Sequence, residues 1–288
     1  MIQLIINPAA GNGRARLIGK QVTEYLVEKN VECTVVYTEH MGHATELARQ
    51  AAEAGVSSVI AVGGDGTVSE TAAGLIHTST ALGIVSAGTG NDFAKILRVP
   101  KAWKAALDFI LTHPGRPIDA GTMNDTFFVN VCGAGFDVMV LDYALKAKKF
   151  VRGILPYLYG VIRAIKNFTP FSMHIELDAE TTIDGDFMIC SIANGGFFGG
   201  GIPIAPMADV TDGKFDVVVV DAVPRWKIPF YLPALLGGTL LKKKVARHYR
   251  AAKCALAAKG MRLNLDGEII AVESTAFTCM KDALMVHW

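Results

Sequence analysis

The chain has 288 residues, of which 51% are hydrophobic, and its 28 basic and 27 acidic residues leave a formal net charge of +1. Near-neutral charge argues against a nucleic-acid partner, since no global basic field is present. Five scattered cysteines without a CxxC pair indicate reduced thiols. With neither a signal-peptide start nor 18 uninterrupted apolar residues, the sequence predicts a cytoplasmic protein without a membrane span.

The first 120 or so residues alternate short apolar runs with amphipathic helical patterns. Strands are predicted over residues 2–7, 31–38, 58–62 and 81–85. Helices are predicted over residues 14–28, 44–54 and 67–76, with a further short helix through Phe93 and Leu97. Strand–helix alternation with apolar strands predicts a doubly wound parallel α/β sheet.

From about residue 117 the pattern changes to short β-like segments. These are predicted over residues 126–132, 171–178, 186–195, 215–221, 253–258 and 261–266. Two helical stretches, over residues 138–149 and 154–167, interrupt them. The sequence therefore predicts a second domain that is mainly antiparallel β.

Three strand ends of the first region carry glycine-rich loops, namely NPAAGNG (7–13), GGDGT (63–67) and SAGTGND (86–92). Backbone N–H groups in such loops, followed by a helix N-terminus, can bind an anion. In open parallel sheets, ligands bind beyond the carboxyl ends of the strands. The loops thus favour a nucleotide site, yet neither a P-loop motif nor GxGxxG is present, which argues against a P-loop NTPase and a Rossmann dehydrogenase.

Asp65 is the lone acidic residue of the GGDGT loop. A carboxylate repels phosphate, so Asp65 is predicted to hold Mg²⁺ against the phosphates, with Thr67 as a cap or a donor to a phosphate oxygen. The alternative is a tight strand–helix turn in which the aspartate bonds only to its neighbours. For the third loop, the alternative is a helix start capped by Asp92.

Two acidic motifs mark the second region. LDGE places Asp266 and Glu268 around a glycine after a predicted strand, and sequence alone favours a hairpin turn there. MADVTDGKFDV brings Asp209, Asp212 and Asp216 close together, which suits either a hard cation or a solvated acidic turn. In the first region, His40 and His43 are interpreted as part of a helix-capping segment rather than as metal ligands.

NPAAGNG, GGDGTVSE, GTGNDFA, GGGIPIAPMADVTDGKFDV and LDGE together resemble the catalytic domain of the diacylglycerol kinase family, most closely its bacterial soluble members. The motifs cover most of the chain in the family's order. The resemblance implies an ATP- and Mg²⁺-dependent kinase that phosphorylates a lipid hydroxyl. It also implies an α/β nucleotide domain over 1–118, a β-sandwich-like domain over 119–278, and a return of residues 279–288 to the first domain. Ser69 departs from the asparagine that many members carry.

The resemblance implies individual roles as well. Asp266 would be the general base, with Glu268 in support or near the metal, and Asp65 would belong to the metal–phosphate network. A structural magnesium would bind the Asp212 side chain and backbone carbonyls near Asp209 and Lys214. The residues implied in ATP binding are Asn7, Thr38, Gly63, Gly64, Asp65, Gly66, Thr67, Glu70, Gly88, Thr89 and Asn91.

Basic clusters at residues 146–152 and 241–250 adjoin apolar stretches. They predict peripheral docking on anionic lipids at a membrane surface, with solvated helix faces as the alternative.

Two other function classes stay open. An NAD kinase-like soluble kinase shares the GGDGT loop, but does not call for GTGNDFA or the basic–apolar segments. A catalytically silent lipid- or nucleotide-binding regulator is disfavoured because Asp65 and Asp266 are both present. The sequence leaves a homodimer open.

Overall fold

The computed structural model of the chain describes residues 1–147, 150 and 155–288. Its helices are α1 Arg14–Glu28, α2 His43–Glu53, α3 Asp65–Leu75, α4 Asp92–Ile96, α5 Trp103–Thr112, α6 Phe136–Ala147, α7 Leu155–Asn167 and α8 Ile228–Leu236, with 3₁₀ turns at Arg225–Lys227 and Leu240–Lys242. Its strands are β1 Ile2–Ile6, β2 Cys33–Tyr37, β3 Ser58–Gly63, β4 Ala81–Ser86, β5 Gly115–Met123, β6 Thr126–Phe128, β7 Val131–Gly135, β8 Phe171–Leu177, β9 Thr181–Ala193, β10 Phe197–Phe198, β11 Ile202–Pro203, β12 Phe215–Asp221, β13 Ala246–Ala251, β14 Lys253–Ala257, β15 Arg262–Leu265, β16 Glu268–Ala271 and β17 Ser274–His287.

The first four strands form a parallel sheet in the order β4-β3-β1-β2. Every residue of β3 and β4 is buried, because helices cover both faces of the sheet. One face packs against α2 and α3 around Leu82, and the other packs against α1 and α5 around Ile60. This arrangement confirms the doubly wound α/β region predicted from the alternating pattern.

The second region is antiparallel and centred on the long strand β9, which pairs with β7, β8 and β12. One side of this sheet carries α6, α7 and α8 over a core that includes Phe136, Phe168 and Ile228. The other side closes over a core of β-strand residues that includes Phe128 and Phe215. The mainly antiparallel, sandwich-like second domain is thereby confirmed.

Two strands connect the regions. β5 and β17 pair antiparallel along most of their length, and β17 also places Val286 beside Leu82 of the parallel sheet. The end of the chain therefore lies against the first region. The predicted boundaries at residues 118 and 278 fall within β5 and β17, and they stay a prediction because these strands run continuously through both regions.

Some elements differ from the sequence prediction. The strand predicted over 126–132 is two strands, because the N–H groups of Val129, Asn130 and Val131 turn toward the carboxylate of Asp266 instead of a neighbouring strand. The basic cluster at 241–250 forms a 3₁₀ turn and β13. Much of the cluster at 146–152 lies outside the described residues. Within the described part of the chain, no helix is long and apolar enough to cross a membrane.

Candidate active site

The three glycine-rich loops meet at the carboxyl edge of the parallel sheet. A Cβ at Gly11 would lie 2.1 Å from the carbonyl oxygen of Ala87, in the third loop. A Cβ at Gly88 would lie 2.7 Å from the Cα of Gly64, in the second loop. Only glycine allows backbones to approach this closely. The loops therefore form one continuous backbone surface, as a phosphate-binding edge requires.

The first loop is tied to the second by side chains. The Asn7 amide donates from Nδ2 to the Thr67 hydroxyl oxygen at 3.1 Å, while its Oδ1 accepts the N–H of Ala9 at 3.1 Å. The N–H of Thr38 donates to the carbonyl of Ile6 at 2.9 Å, so Thr38 lies beside Asn7. Three residues predicted for ATP binding are thus neighbours in the fold.

Asp65 joins the second loop to the third. Its carboxylate accepts the N–H of Asn91 at 2.7 Å and that of Asp92 at 2.6 Å. Burial raises the pKa of Asp65, the nearby Asp92 charge raises it further, and the backbone hydrogen bonds act in the opposite direction. Each carboxylate oxygen accepts one of these N–H groups, and the N–H of Phe93 also favours the ionised form, so the carboxylate keeps acceptor capacity for a cation.

Asp92 belongs to this site, although the sequence suggested only a helix cap. Its side chain is 7% exposed and lies 3.0 Å from Nζ of Lys95. It also accepts the N–H of Gly200 at 2.8 Å. Two neighbouring carboxylates repel each other, and a hard divalent cation bound between them would offset that repulsion. Because Lys95 is a single cation beside two carboxylates, the pair keeps a net negative charge, and Asp65 and Asp92 therefore fit Mg²⁺. The signal in the sequence was a second acid at the end of the third loop.

Other predicted nucleotide ligands have local partners or face solvent. Glu70 accepts the N–H of Ala44 at 3.2 Å, so its carboxylate caps the start of α2. Asn91 donates from Nδ2 to the carbonyl of Gly88 at 3.1 Å and thereby shapes the third loop. Gly66 and Thr89 are exposed at the loop surface. Their contact with a nucleotide stays a prediction.

The second region reaches this edge through a glycine-rich hairpin. β10 and β11 pair antiparallel, and the three glycines between them, residues 199–201, all have positive φ angles. The hairpin lies against α4, because Gly200 donates to Asp92 and a Cβ at Gly201 would be 2.6 Å from Nζ of Lys95. This segment therefore closes one side of the candidate site.

Asp266 lies half-buried at the turn between β15 and β16. One oxygen accepts the N–H groups of Asn130 (3.1 Å) and Val131 (3.0 Å). The other accepts the N–H of Val129 (2.9 Å) and the hydroxyl of Ser69 (3.1 Å). Burial raises the pKa of Asp266 to about 6, although these donors favour the ionised form. Because Ser69 belongs to α3, this carboxylate joins the two regions.

Glu268 differs from Asp266 in its surroundings. It is the first residue of β16 and its side chain is exposed. Four donors fill the acceptor positions of Asp266, whereas none of the described residues donates a hydrogen bond to the Glu268 carboxylate. Of the two acids in LDGE, only Glu268 can accept a proton without first releasing a protein donor.

The turn that carries these acids contacts a polar pair, the half-buried Asn264 and the buried Asp137. Asn264 accepts the N–H of Gly267 at 2.9 Å, and its Nδ2 lies 3.5 Å from Oδ2 of Asp137. The other oxygen of Asp137 is buried without a partner among the described residues. Burial raises the pKa of Asp137 to about 6.

The acidic loop before β12 is held by local contacts and one ion pair. Asp209 accepts the N–H of Thr211 at 3.0 Å, and Asp212 accepts that of Lys214 at 3.0 Å. The second oxygen of Asp212 is in contact with the Arg250 guanidinium. Arg250 therefore offsets the charge of Asp212 in this arrangement. The metal assignment at Asp209, Asp212 and Lys214 stays a prediction.

His40 and His43 have a third neighbour that the sequence argument overlooked. Glu46 follows them at helical spacing, and one ligand atom from each of the three residues lies within 4.8 Å of the others. However, Nδ1 of His43 accepts the N–H of Glu39 at 3.1 Å. In a neutral ring this places the proton on Nε2, where a metal would have to bind. The segment is therefore better explained as the start of α2.

A parallel sheet edge with converging glycine loops, faced by a β-sandwich-like region that adds acidic residues, defines a two-domain kinase fold. Residues 1–123 match the family described as "Diacylglycerol kinase catalytic domain". Residues 130–288 match the family described as "YegS C-terminal NAD kinase beta sandwich-like domain". The chain belongs to the diacylglycerol kinase catalytic-domain family and, within it, to the YegS-like lipid kinases.

Individual proteins extend this likeness over the whole chain. The chain is 33% identical to the "Probable lipid kinase YegS-like" of Pseudomonas putida, over 87% of this chain and 83% of that protein. It is 27% identical to a diacylglycerol kinase of Mycobacterium tuberculosis, over 99% and 94% of the two chains. A crystal structure of a candidate diacylglycerol kinase from Bacillus anthracis shares the fold, with a TM-score of 0.82 at 24% identity over 100% and 96% of the chains.

Proposed function

We propose that this lipid kinase transfers the γ-phosphate of ATP to the hydroxyl of diacylglycerol or a related lipid, with Mg²⁺. The observation that carries the proposal is the pairing of Asp65 with Asp92 where the glycine loops converge. This pair would hold a cation beside a backbone surface suited to phosphates. The named activity of the mycobacterial relative supports the choice of acceptor.

In the proposed mechanism, the loop N–H groups and Thr67 bind the phosphates, while Asn7 fixes the Thr67 hydroxyl. Asp65 and Asp92 would hold Mg²⁺, which would neutralise charge on the transferring phosphate. Asp65 also holds the third loop in place through its two backbone hydrogen bonds. The chain's contribution is thus mainly to position the phosphates and to place opposite charge beside them.

The acceptor hydroxyl must lose its proton as its oxygen bonds to phosphorus and the bond to the ADP oxygen breaks. Glu268 is the group that can take this proton, because its carboxylate is exposed and without a donor in the described structure. Asp266 positions the turn that carries Glu268 and connects it to α3 through Ser69. This division of roles reverses the one expected from the resemblance, which gave the base role to Asp266.

The same family description that names YegS also names NAD kinase, so NAD is the rival acceptor to test. A single assay compares ATP consumption and labelled product with diacylglycerol, phosphatidylglycerol, a sphingoid base, NAD and no acceptor, each with Mg²⁺ or with EDTA. Phosphorylation of a lipid alone, lost with EDTA, is the expected result. NAD phosphorylation would replace the proposal. Nucleotide binding without transfer to any acceptor would indicate a regulator.

The proposed cellular place is the cytoplasm, in peripheral contact with a membrane rich in anionic lipids. The support is chemical, since an acceptor with long acyl tails lies within a bilayer and no helix of the described chain is suited to span one. Binding to vesicles tests this placement separately from phosphate transfer.

A further inference from the structure

Helix α7 turns its larger apolar side chains outward. Leu155, Leu158, Tyr159 and Ile162 recur at the spacing of one helical face, and all four are exposed. The buried face consists instead of small or compact residues, namely Pro156, Gly160 and Ala164. A Cβ at Gly160 would lie 2.4 Å from the carbonyl oxygen of Val140. The helix therefore packs closely on α6 and leaves its bulky apolar face in water.

A second exposed apolar group adjoins the end of this helix. Arg225 donates hydrogen bonds to the carbonyls of Lys166 (3.1 Å) and Phe168 (2.5 Å), which fixes the 3₁₀ turn before α8 to the end of α7. Trp226 and Phe230 follow, with exposures of 67% and 73%. We call the exposed side chains of this surface the apolar docking face; they are Leu155, Leu158, Tyr159, Ile162, Trp226 and Phe230.

The two chain segments that carry the apolar docking face contain basic residues but no acidic ones. No aspartate or glutamate occurs in residues 143–175 or in residues 222–265, although acids and bases are nearly equal over the whole chain. Exposed basic residues of the described part border the face, including Arg163 and Lys166 on α7 and Lys227 beside Trp226. The near-zero net charge of the chain therefore conceals a basic excess in these two segments, and Asp142, just before the first, is paired with Lys146.

We propose that the apolar docking face is the surface by which the protein binds an anionic membrane, with α7 lying along the interface. This inference rests on the proposed lipid kinase function, because it specifies how the enzyme reaches its acceptor. Burial of leucine, isoleucine and aromatic side chains at the acyl boundary supplies the apolar part of binding. The surrounding lysines and arginines contact the anionic head groups.

A second copy of the chain fits this surface less well than a membrane does. A two-fold dimer places the same patch on both partners, so the basic borders of the two copies would face each other. No acidic residue within either segment could offset that repulsion. An anionic bilayer offers instead an apolar layer edged by negative charge, which complements both properties of the face.

The test uses the full chain and vesicles of phosphatidylglycerol and phosphatidylcholine. Leu158→Gln combined with Phe230→Gln should weaken co-sedimentation by about tenfold or more, because two large apolar side chains no longer leave water. Val27→Gln is the matched control, since Val27 is 66% exposed on α1 and outside the face. Equal binding by the double variant and the control would overturn the proposal. Unchanged melting temperatures check that both variants fold.

The fluorescence of Trp226 reports directly whether the apolar docking face inserts into the bilayer. Its fluorescence should shift to shorter wavelength on vesicle addition and be quenched by lipids brominated along the acyl chain, and Trp226→Phe should remove this response. Unquenched Trp226 in vesicle-bound protein would overturn the proposal. A dimer in solution that the Leu158→Gln/Phe230→Gln variant dissociates would also overturn it, in favour of a second copy.

Phosphorylation of a short-chain diacylglycerol dispersed in solution tests the kinase function separately from membrane binding. The double variant should turn over this acceptor at the wild-type rate, because the face lies outside the proposed catalytic machinery, while losing turnover on vesicles. If wild-type protein bound vesicles but phosphorylated no lipid, the proposed function would fail and the docking face would stand. If it phosphorylated the dispersed lipid but failed to bind anionic vesicles, the docking face alone would fail.

Discussion

The GGDGT loop and the LDGE turn present similar sequences and different chemistry. Each places an aspartate beside glycine, and in each the carboxylate accepts backbone N–H groups from a different loop. Asp65 accepts two such groups and lies beside a second acid, Asp92. Asp266 accepts three and also the hydroxyl of Ser69. Asp65 therefore keeps acceptor capacity for a cation, whereas the capacity of Asp266 is filled.

Asp65 is therefore suited to bind a cation, whereas Asp266 is suited to position the backbone around it. A carboxylate with open lone pairs and a like-charged neighbour gains from a metal ion, so removing its charge should affect chemistry first. A carboxylate with every acceptor position filled holds backbone in place, so removing its charge should affect the fold around it first. Substitution to the amide at each site can break or sharpen the comparison.

The largest effect is expected from Asp65→Asn. The change keeps the side chain's size but removes the charge that would hold Mg²⁺ beside the transferring phosphate, and we expect turnover to fall by about 10³-fold or more. Titrating Mg²⁺ in the kinase assay measures the effect. Asp125→Asn, an exposed aspartate in the turn after β5, is the matched control. Wild-type magnesium dependence in Asp65→Asn would remove Asp65 from the metal site.

Glu268→Gln should give the next largest effect on rate. If Glu268 accepts the hydroxyl proton, turnover should fall by about 10²–10⁴-fold while the melting temperature stays unchanged, because the side chain is exposed. Glu273→Gln provides the control, since Glu273 is exposed just beyond the other end of β16. A fully active Glu268→Gln enzyme would return the base role to Asp266.

Asp266→Asn should lower stability as well as rate. The new amide NH₂ would face backbone N–H groups or the Ser69 hydroxyl, leaving buried donors unpaired at a cost of about 1–3 kcal/mol. Denaturant unfolding measures this cost. Asp178→Asn is the matched control. Asp178 also has a positive φ angle and accepts two backbone N–H groups, but it is exposed, so a smaller loss of stability is expected. Equal losses of stability in Asp266→Asn and Asp178→Asn would contradict the role of Asp266 in holding this backbone in place.

The parallel region and its loops could be predicted because the signals are local. Apolar strands followed by amphipathic helices indicate a parallel sheet, and the carboxyl ends of its strands β1, β3 and β4 must then share an edge. The contact between Gly88 and Gly64 follows directly from that placement. The family resemblance added the order of motifs and the kinase activity, which periodicity alone does not indicate.

The partners of the carboxylates could not be predicted from the sequence. Ser69 and Asp266 are separated by 197 positions, and Gly200 reaches Asp92 across 108. Nothing local in either sequence indicates such contacts. The sequence places an apolar stretch beside the basic cluster at residues 146–152, but it does not show which of the apolar side chains face solvent. Periodicity identifies an apolar helix face but does not say whether that face meets a core or solvent, and here the small residues of the opposite face take the core.

The polar pair that contacts the LDGE turn predicts a pH dependence. The pKa of Asp137 is raised to about 6 in the folded protein, above its ordinary value of 3.8, so the folded state favours the protonated form. Its contribution to stability is therefore fully present below the unfolded pKa and is lost as pH rises to about 6. The free energy of unfolding of Asp137→Asn minus that of wild type should therefore be about 1–3 kcal/mol more favourable to the variant at pH 7 than at pH 4.

Denaturant unfolding of Asp137→Asn and of wild type at several pH values between 4 and 8 measures how this difference changes with pH. Asp119 and Asp216 also have raised pKa values through burial, so the wild-type curve contains their contributions too. The relevant quantity is the difference between the two proteins, to which these shared groups contribute equally. A difference that is constant with pH would show that Asp137 does not titrate in this range.

The smallest effect is expected at Ser69, the residue through which the two compared regions touch. Ser69→Ala removes one donor from Asp266 but leaves the three backbone donors, so the free energy of unfolding should fall by only about 0.5–1.5 kcal/mol. Ser69→Asn retains a donor at this position and should recover most of the loss. In the Asp266→Asn background, Ser69→Ala should cost little, because the hydrogen bond is already disrupted, and this double-mutant cycle isolates the pair. An equal cost in both backgrounds would mean that Ser69 stabilises α3 alone and does not couple the glycine loops to LDGE.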